Sequence, residues 1–456
     1  MSKNQIQQQK QKFAVNRHKF RLKALCSSIL LTVVSSVSLA ETKTLSLESA
    51  IEKVETYQQT QNIWATQTEI DQANLSKAKL WKNPELNIEQ TGFDSNKEQE
   101  FSLSISQELD VFGVRKANQN LVVFAQEKML LAQKIYTAQL RLTVKYLWSQ
   151  LAIAELEKNI VQAQLNVSEA NLNAIQKRFQ AGSVAEVDLK RAQLSHTENI
   201  RLFKQADLQV QLAQQQLSNI WGASDKTIQI QLAVNRLWPQ DSYQNVQTYL
   251  AENYFEKSRI LQLKNTQAQL AYIQAAKRPN PTVSLGMNRT KAPENGNENQ
   301  IMLGVSVPLN IFDRQQYDVK INQYKQDALN RQQGFYAQQN ALQVGTLLTQ
   351  LQGLEAQFKD VEKTQLPLAM EVQQKTLLGF SAGKFALTDV QQATLQLQEI
   401  RQRKVELLKA AWQTAISAES LSLGIEPSVV MSADAIAQIN QTLWDNIQTS
   451  PVVGEN

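Results

Sequence analysis

Arg178-Phe179-Gln180-Ala181-Gly182-Ser183-Val184-Ala185-Glu186-Val187-Asp188-Leu189 and Gly379-Phe380-Ser381-Ala382-Gly383-Lys384-Phe385-Ala386-Leu387-Thr388-Asp389-Val390 are two renderings of one phrase, 201 residues apart. Both read F-x-A-G, then an Asp six positions after the Gly. Upstream, Leu103-Ser104-Ile105-Ser106 matches Leu303-Gly304-Val305-Ser306 at an offset of 200, and Asn83-Pro84 matches Asn280-Pro281 at 197. A constant period of this kind predicts two copies of one unit of about 200 residues. Gly182 and Gly383 sit where a long helix must reverse, because glycine takes a left-handed helix end cheaply.

Long helices fill the space between these marks. Val114 to Ala181 contains 68 residues without Gly or Pro, Ser183 to Trp221 another 39, and Lys384 to Leu423 another 40. Good helix formers dominate all three. Leu140, Val144, Leu147, Leu151, Ala154, Val161, Leu165, Leu172, Ile175 and Phe179 follow one seam, with Lys158 and Ser168 as polar interruptions. Val390, Ala393, Leu397, Ile400, Leu407, Ala411, Ala418 and Leu421 do the same, interrupted by Lys404 and Thr414. A sustained 3.5-residue period predicts left-handed helix packing along the whole length.

Four segments have a period of two instead. Leu86 and Ile88, then Phe101, Leu103 and Ile105, then Val283, Leu285 and Met287, and finally Ile301 to Leu309 alternate with small polar residues. They read as strands of two hairpins, with Asp94–Gln99 and Lys291–Asn299 as long polar loops. An apolar face and a small polar face suit an outer-membrane barrel, lipid on one side and a wet lumen on the other. Four strands cannot close alone, since barrels start at about eight. Open edges are not tolerated in lipid, so three copies sharing about twelve strands are expected.

Residues 1–40 read as a secretory signal: seven basic residues, no acid, an apolar stretch from Ala24 to Leu39, and Ser38-Leu39-Ala40 for cleavage. The whole chain holds 47 Lys and Arg against 42 Asp and Glu; removal of the signal leaves 40 against 42, which gives no support for nucleic-acid binding. Cys26, the only cysteine, and His18 would leave with it, so His196 is the lone remaining histidine and reads as a surface residue. No soft-metal site, cofactor site or catalytic constellation is expected, which argues against an enzyme. The expected organisation is a signal at 1–40, a first unit at 41–245 and a second at 246–456. The first unit has a hairpin at about 84–111, helices at 114–221 and an equatorial segment at 222–245. The second has a hairpin at about 281–310, helices at 313–423 and an equatorial segment at 424–456.

The order helix, N-P, hairpin, long helix, F-x-A-G turn and returning helix, done twice, resembles the TolC-type outer-membrane efflux family over residues 45 to 425. Trp81-Lys82-Asn83-Pro84-Glu85-Leu86 with Ser104-Ile105-Ser106-Gln107-Glu108-Leu109 looks most like its heavy-metal (cobalt–zinc–cadmium) class. That class tends to read N-P-E-L and S-x-P-L-x-x-G-G-K-R; here Glu108 replaces the Pro and Phe112-Gly113-Val114-Arg115 replaces G-G-K-R, while Pro308-Leu309 keeps the pattern. The resemblance implies a mixed α and β fold, a barrel closed as a homotrimer and continuous with a helical tube across the periplasm. It implies a passive duct from an inner-membrane pump of the resistance–nodulation–division type, through a periplasmic adaptor (membrane fusion protein). Phe179, Ala181, Gly182, Phe380, Ala382 and Gly383 would dock that adaptor. Asp389 would ring the gate, with Asp188 as its first-unit counterpart. Phe385 and Gln392 depart from the family's charge pattern there, and Lys384 would substitute in the latch. The cargo expected is a divalent metal ion; drugs or secreted proteins are the alternative. A secreted coiled-coil adhesin or scaffold is the rival from another class.

Overall fold

The computed structural model describes residues 45–94, 96–223, 228, 230, 237–292, 296–432 and 434–448. The expected signal segment lies outside the described residues. In chain order the elements are α1 Leu47–Thr60, α2 Ile63–Ala78, β1 Glu85–Thr91, β2 Gln99–Glu108, α3 Val114–Gln180, α4 Glu186–Asn219, α5 Ser242–Glu252 and α6 Tyr254–Ala276. Then come β3 Thr282–Ala292, β4 Gly296–Ser306, α7 Gln316–Asp360, a π-helical turn Val361–Gln365, α8 Leu366–Ser381, α9 Leu387–Leu423, α10 Pro427–Met431 and α11 Ala435–Gln448.

The helix α3 runs unbroken for 67 residues, about 100 Å at 1.5 Å per residue. It stops where the sequence says it must. Gly182 takes φ +70°, its N–H donates to Phe179 O, and the N–H of Ser183 donates to Arg178 O. Gly383, at φ +75°, ends α8 with the same pair of bonds, to Phe380 O and from Lys384 to Gly379 O. Both are Schellman turns, which satisfy carbonyls that the helix end would orphan.

Packing follows the seam. Leu140, Val144, Leu151 and Ile175 are buried, as are Val390, Leu397, Leu407 and Ala411. Full burial of each Leu, Ile or Val among them contributes roughly 1.5–3 kcal/mol. Phe179 departs from the expected seam and is 38% exposed. Phe380 fills the space between the two reversals instead. Three of the polar interruptions find partners: Lys158 meets Asp207 at 2.7 Å, Ser168 meets His196 Nδ1 at 3.1 Å, and Lys404 meets Glu362 at 2.9 Å. His196 is thus half-buried at a helix–helix contact and not the plain surface residue expected.

The largest core lies part-way along the long helices. Leu151, Ile153, Leu217, Leu408 and Ile416 meet Leu45, Ile228, Leu237, Val430 and Ile439 from the flanking segments. Trp148 Nε1 donates to Leu45 O at 3.2 Å, and Trp412 Nε1 to Leu237 O at 2.8 Å. The described parts of both expected equatorial segments therefore dock on the helices, and α11 packs against α3. The helix α5 begins at Ser242 and spans the expected division between the two units.

The strands make one antiparallel sheet in the order β1-β2-β3-β4. The second hairpin corrects the expected long loop at 291–299. Lys291 pairs with Asn297 and Ala292 with Gly296, so the ladder continues almost to the tip. Polar residues read as loop, yet backbone bonds carry a strand past its apolar band.

Candidate functional site: the helical tip and the strand sheet

The tip brings both F-x-A-G phrases together. Ile175, Ala192, Phe380 and Val390 form a small buried cluster, with Leu172, Val184, Leu189, Leu377 and Leu387 packed on it. The two phrases are not equivalent in space: Phe380 is 8% exposed where Phe179 is 38% exposed. Ala181, Gly182, Ala382 and Gly383 are exposed at the turns. Gly379 has its own reason, since a Cβ there would lie 2.2 Å from the Phe385 ring that covers it.

Arg178 is the residue that the sequence reading passed over. Its Nη2 donates to Phe380 O at 2.9 Å, and its guanidinium lies 4.2 Å from the centre of the Phe380 ring. One cation from the first reversal thus caps the carbonyl end of α8 in the second, where the helix dipole favours positive charge. The signal was a basic residue immediately before F-x-A-G, meaningful only once the two turns are adjacent.

Asp389 and Asp188 occupy the first turns of α9 and α4. Asp389 Oδ2 accepts from the Ala386 N–H at 2.8 Å. Asp188 lies 3.7 Å from Arg191. Within one chain, each carboxylate supports the start of its helix, where negative charge is favoured. Asp389 is exposed, and so are Lys384 and Phe385.

At the other end, the register sorts the sheet into two faces. Leu86, Ile105, Leu285 and Leu303 form one cross-strand row, and Ile88, Leu103, Met287 and Ile301 the next on the same face. The opposite face carries Glu85-Ser106-Ser284-Gly304, Asn87-Ser104-Gly286-Met302 and Glu89-Ser102-Asn288-Gln300. The apolar face is uncovered: Leu86 is 63%, Leu303 76% and Ile301 86% exposed. Exposed aromatic residues mark both ends, Phe93 beyond β1, with Trp81 and Phe112 at the opposite end. Arg115 stacks 4.1 Å over Trp81. An apolar band flanked by aromatic residues is the pattern of a lipid-facing surface. Among the described residues β1 and β4 have no partner on their outer edges.

Glu108 stands at the base of the sheet. It pairs with Lys82 at 2.7 Å and accepts from Asn280 Nδ2 at 3.1 Å, tying the two N-P segments together. The proline expected from the heavy-metal class could make neither contact. No group of three or more His, Cys, Asp or Glu able to hold a metal occurs among the described residues, and no helix there is long and apolar enough to cross a membrane.

Comparison with known proteins agrees with this geometry. Residues 71–223 match the family described as Outer membrane efflux protein. The cobalt-zinc-cadmium resistance protein CzcC of Cupriavidus metallidurans is 26% identical over 368 residues, 79% of this chain and 86% of that protein. Among solved structures, CusC is similar with a TM-score of 0.64 at 16% identity, over 83% of this chain and 92% of that one. The outer membrane protein VceC from Vibrio cholerae gives 0.61 at 14%, over 83% and 96%. CusC forms a transmembrane channel.

Proposed function

We propose, from the premise that the chain is of the TolC-type outer-membrane efflux kind in sequence and fold, that it is the passive outer-membrane duct of a tripartite system exporting divalent metal ions. Three copies close the sheet into a barrel of about twelve strands, β4 of one against β1 of the next. The long helices of the same copies form the tube below. The observation that carries this reading is the four-stranded sheet with one uncovered apolar face, one small polar face and two open edges. A soluble protein rarely leaves so large an apolar patch uncovered, and open edges need partners.

Removal of the signal near Ala40, the two-unit organisation, and docking of a periplasmic adaptor at the tip belong to the same proposal. So does a ring of Asp389 carboxylates at the gate, with Lys384 and Asp188 beside it. The pump supplies the energy and the selectivity. Metal cargo is supported by the likeness to a cobalt-zinc-cadmium resistance protein. Deletion of the gene tests the cargo: cells should become sensitive to zinc, cadmium or cobalt. Sensitivity to drugs with unchanged metal tolerance would contradict the metal assignment and favour organic cargo.

A further inference from the structure

The strands carry charge on both faces of the sheet, and the register sorts it by sign. Glu85, Glu89, Glu100, Glu108 and Glu298 all lie on the small polar face. Arg289 and Lys291, the bases of the strands, both lie on the apolar face. Opposite charges across a strand pair stabilise a sheet when they share a face. Here they cannot meet, because every strand acid is on the far side of the sheet from both bases. Arg289 and Lys291 are exposed, and neither side chain has a hydrogen-bond or ion-pair partner among the described residues. Lys97, in the first hairpin loop, differs: Asp94 stands 4.0 Å from it.

The height of the two bases is specific. Along β3 the apolar face reads Val283, Leu285, Met287, Arg289, Lys291, so both bases sit just past the last apolar row. Arg289 lies between Phe101 and Asn299, and Lys291 between Gln99 and Asn297. The helices join the sheet at its other end, beyond Glu108 and before Thr282. The bases are therefore at the end of the hairpin tips, the same end as the exposed Phe93. Two steps along a strand separate them by about 7 Å. A base on a lipid-facing surface is costly at the middle of a bilayer and nearly free at its edge, where a long side chain keeps its charged head in the polar layer.

We propose that Arg289 and Lys291 are a binding site for the phosphate groups of outer-leaflet lipid. The inference rests on the channel reading above, which puts the hairpin tips at the outer surface and the apolar face in lipid. The planar guanidinium of Arg289 takes two oxygens of one phosphate, and the Lys291 ammonium a further oxygen or a second phosphate. The strand acids are turned inward, so none faces the lipid to repel its phosphates. The same sorting leaves carboxylates towards the lumen, where the proposed cargo is cationic. Closure of three copies would repeat the site three times around the rim.

Native mass spectrometry of the full-length protein in detergent tests this. The probes are lipid A carrying both phosphates and the same glycolipid stripped of them. Arg289→Gln and Lys291→Gln should each weaken binding of the phosphorylated lipid about fivefold, and the double variant about 25-fold, the weight of one and of two basic side chains at an anionic lipid surface. The stripped lipid should bind weakly and equally to parent and variants. The exchange Arg289→Lys with Lys291→Arg keeps both charges and should retain binding. The three-chain mass of each variant serves as its control for folding. A double variant that binds like the parent, or a stripped lipid held as tightly as the phosphorylated one, would overturn the site. Inorganic phosphate that displaces the lipid at equal concentration would assign the pair to a free anion and overturn the lipid reading. A parent chain that never enters bilayers would overturn the channel reading, and this proposal with it.

Discussion

At the residue scale, the tip turns are decided by backbone geometry. Gly383 holds φ +75° with open space around it, so a side chain there meets no neighbour but must take a left-handed conformation. That conformation costs an L-residue roughly 1–2 kcal/mol, and more if β-branched. Gly383→Val is therefore expected to leave the long helices intact by circular dichroism and to abolish metal resistance through misplaced tip residues. Normal resistance would remove the tip from the docking site. Asp389→Asn keeps the bond to the Ala386 N–H possible but removes the charge; reconstituted channels should lose cation preference, read from reversal potentials in a salt gradient. Tyr136 offers a test of the core. Burial pushes its hydroxyl up to about 12, and it lies 2.9 Å from Gln58 Oε1 and 3.0 Å from Asn440 Oδ1. An acid whose folded value is raised contributes stability that is complete below its ordinary value of 10.0 and is lost as pH climbs towards 12. Tyr136→Phe should flatten alkaline unfolding in that window, followed by fluorescence; an unchanged curve would mean that the hydroxyl is not held neutral by the fold.

At the element scale, the periodicities were legible and the contacts between elements were not. Period two found every strand, because each alternates an apolar and a small polar face. It misjudged the second loop, since Lys291, Asn297 and their neighbours are polar on both faces and still pair. Period 3.5 found the seams of α3 and α9, while runs without Gly or Pro marked the long helices. Phe179 and Phe380 occupy equivalent places in the phrase yet differ in burial, and only the arrangement of the tip decides which of them turns inward. The partner of Arg178 lies 202 residues away and left no local trace. The apolar face of the sheet makes its own prediction. Leu303→Lys places a charge in the uncovered row, which costs about 2–4 kcal/mol at the middle of a bilayer and little in water. The variant should therefore lower the yield of assembled protein in outer-membrane fractions, quantified by immunoblot, without altering the helical core. Equal yield would mean that this face does not meet lipid.

At the scale of the whole molecule, both ends of one chain are unfinished. Among the described residues the sheet ends in two open edges, β1 and β4. Among the described residues the long helices are joined in the order α4, α3, α9 and then α7 and α8, so α4 and the α7–α8 side form the two edges of the helical wall. Val187, Leu194, Leu208 and Leu212 are exposed on α4, and Leu368, Val372 and Leu378 on α8. A head-to-tail contact that joins unlike edges closes into a ring when the rotation fits, and one rotation must close both the sheet and the helices. The most direct measurement is the native mass of the full-length protein extracted by detergent from outer-membrane fractions. A particle of three chains that falls to single chains only on denaturation is expected. A single folded chain that leaves the membrane in buffer without detergent would contradict it.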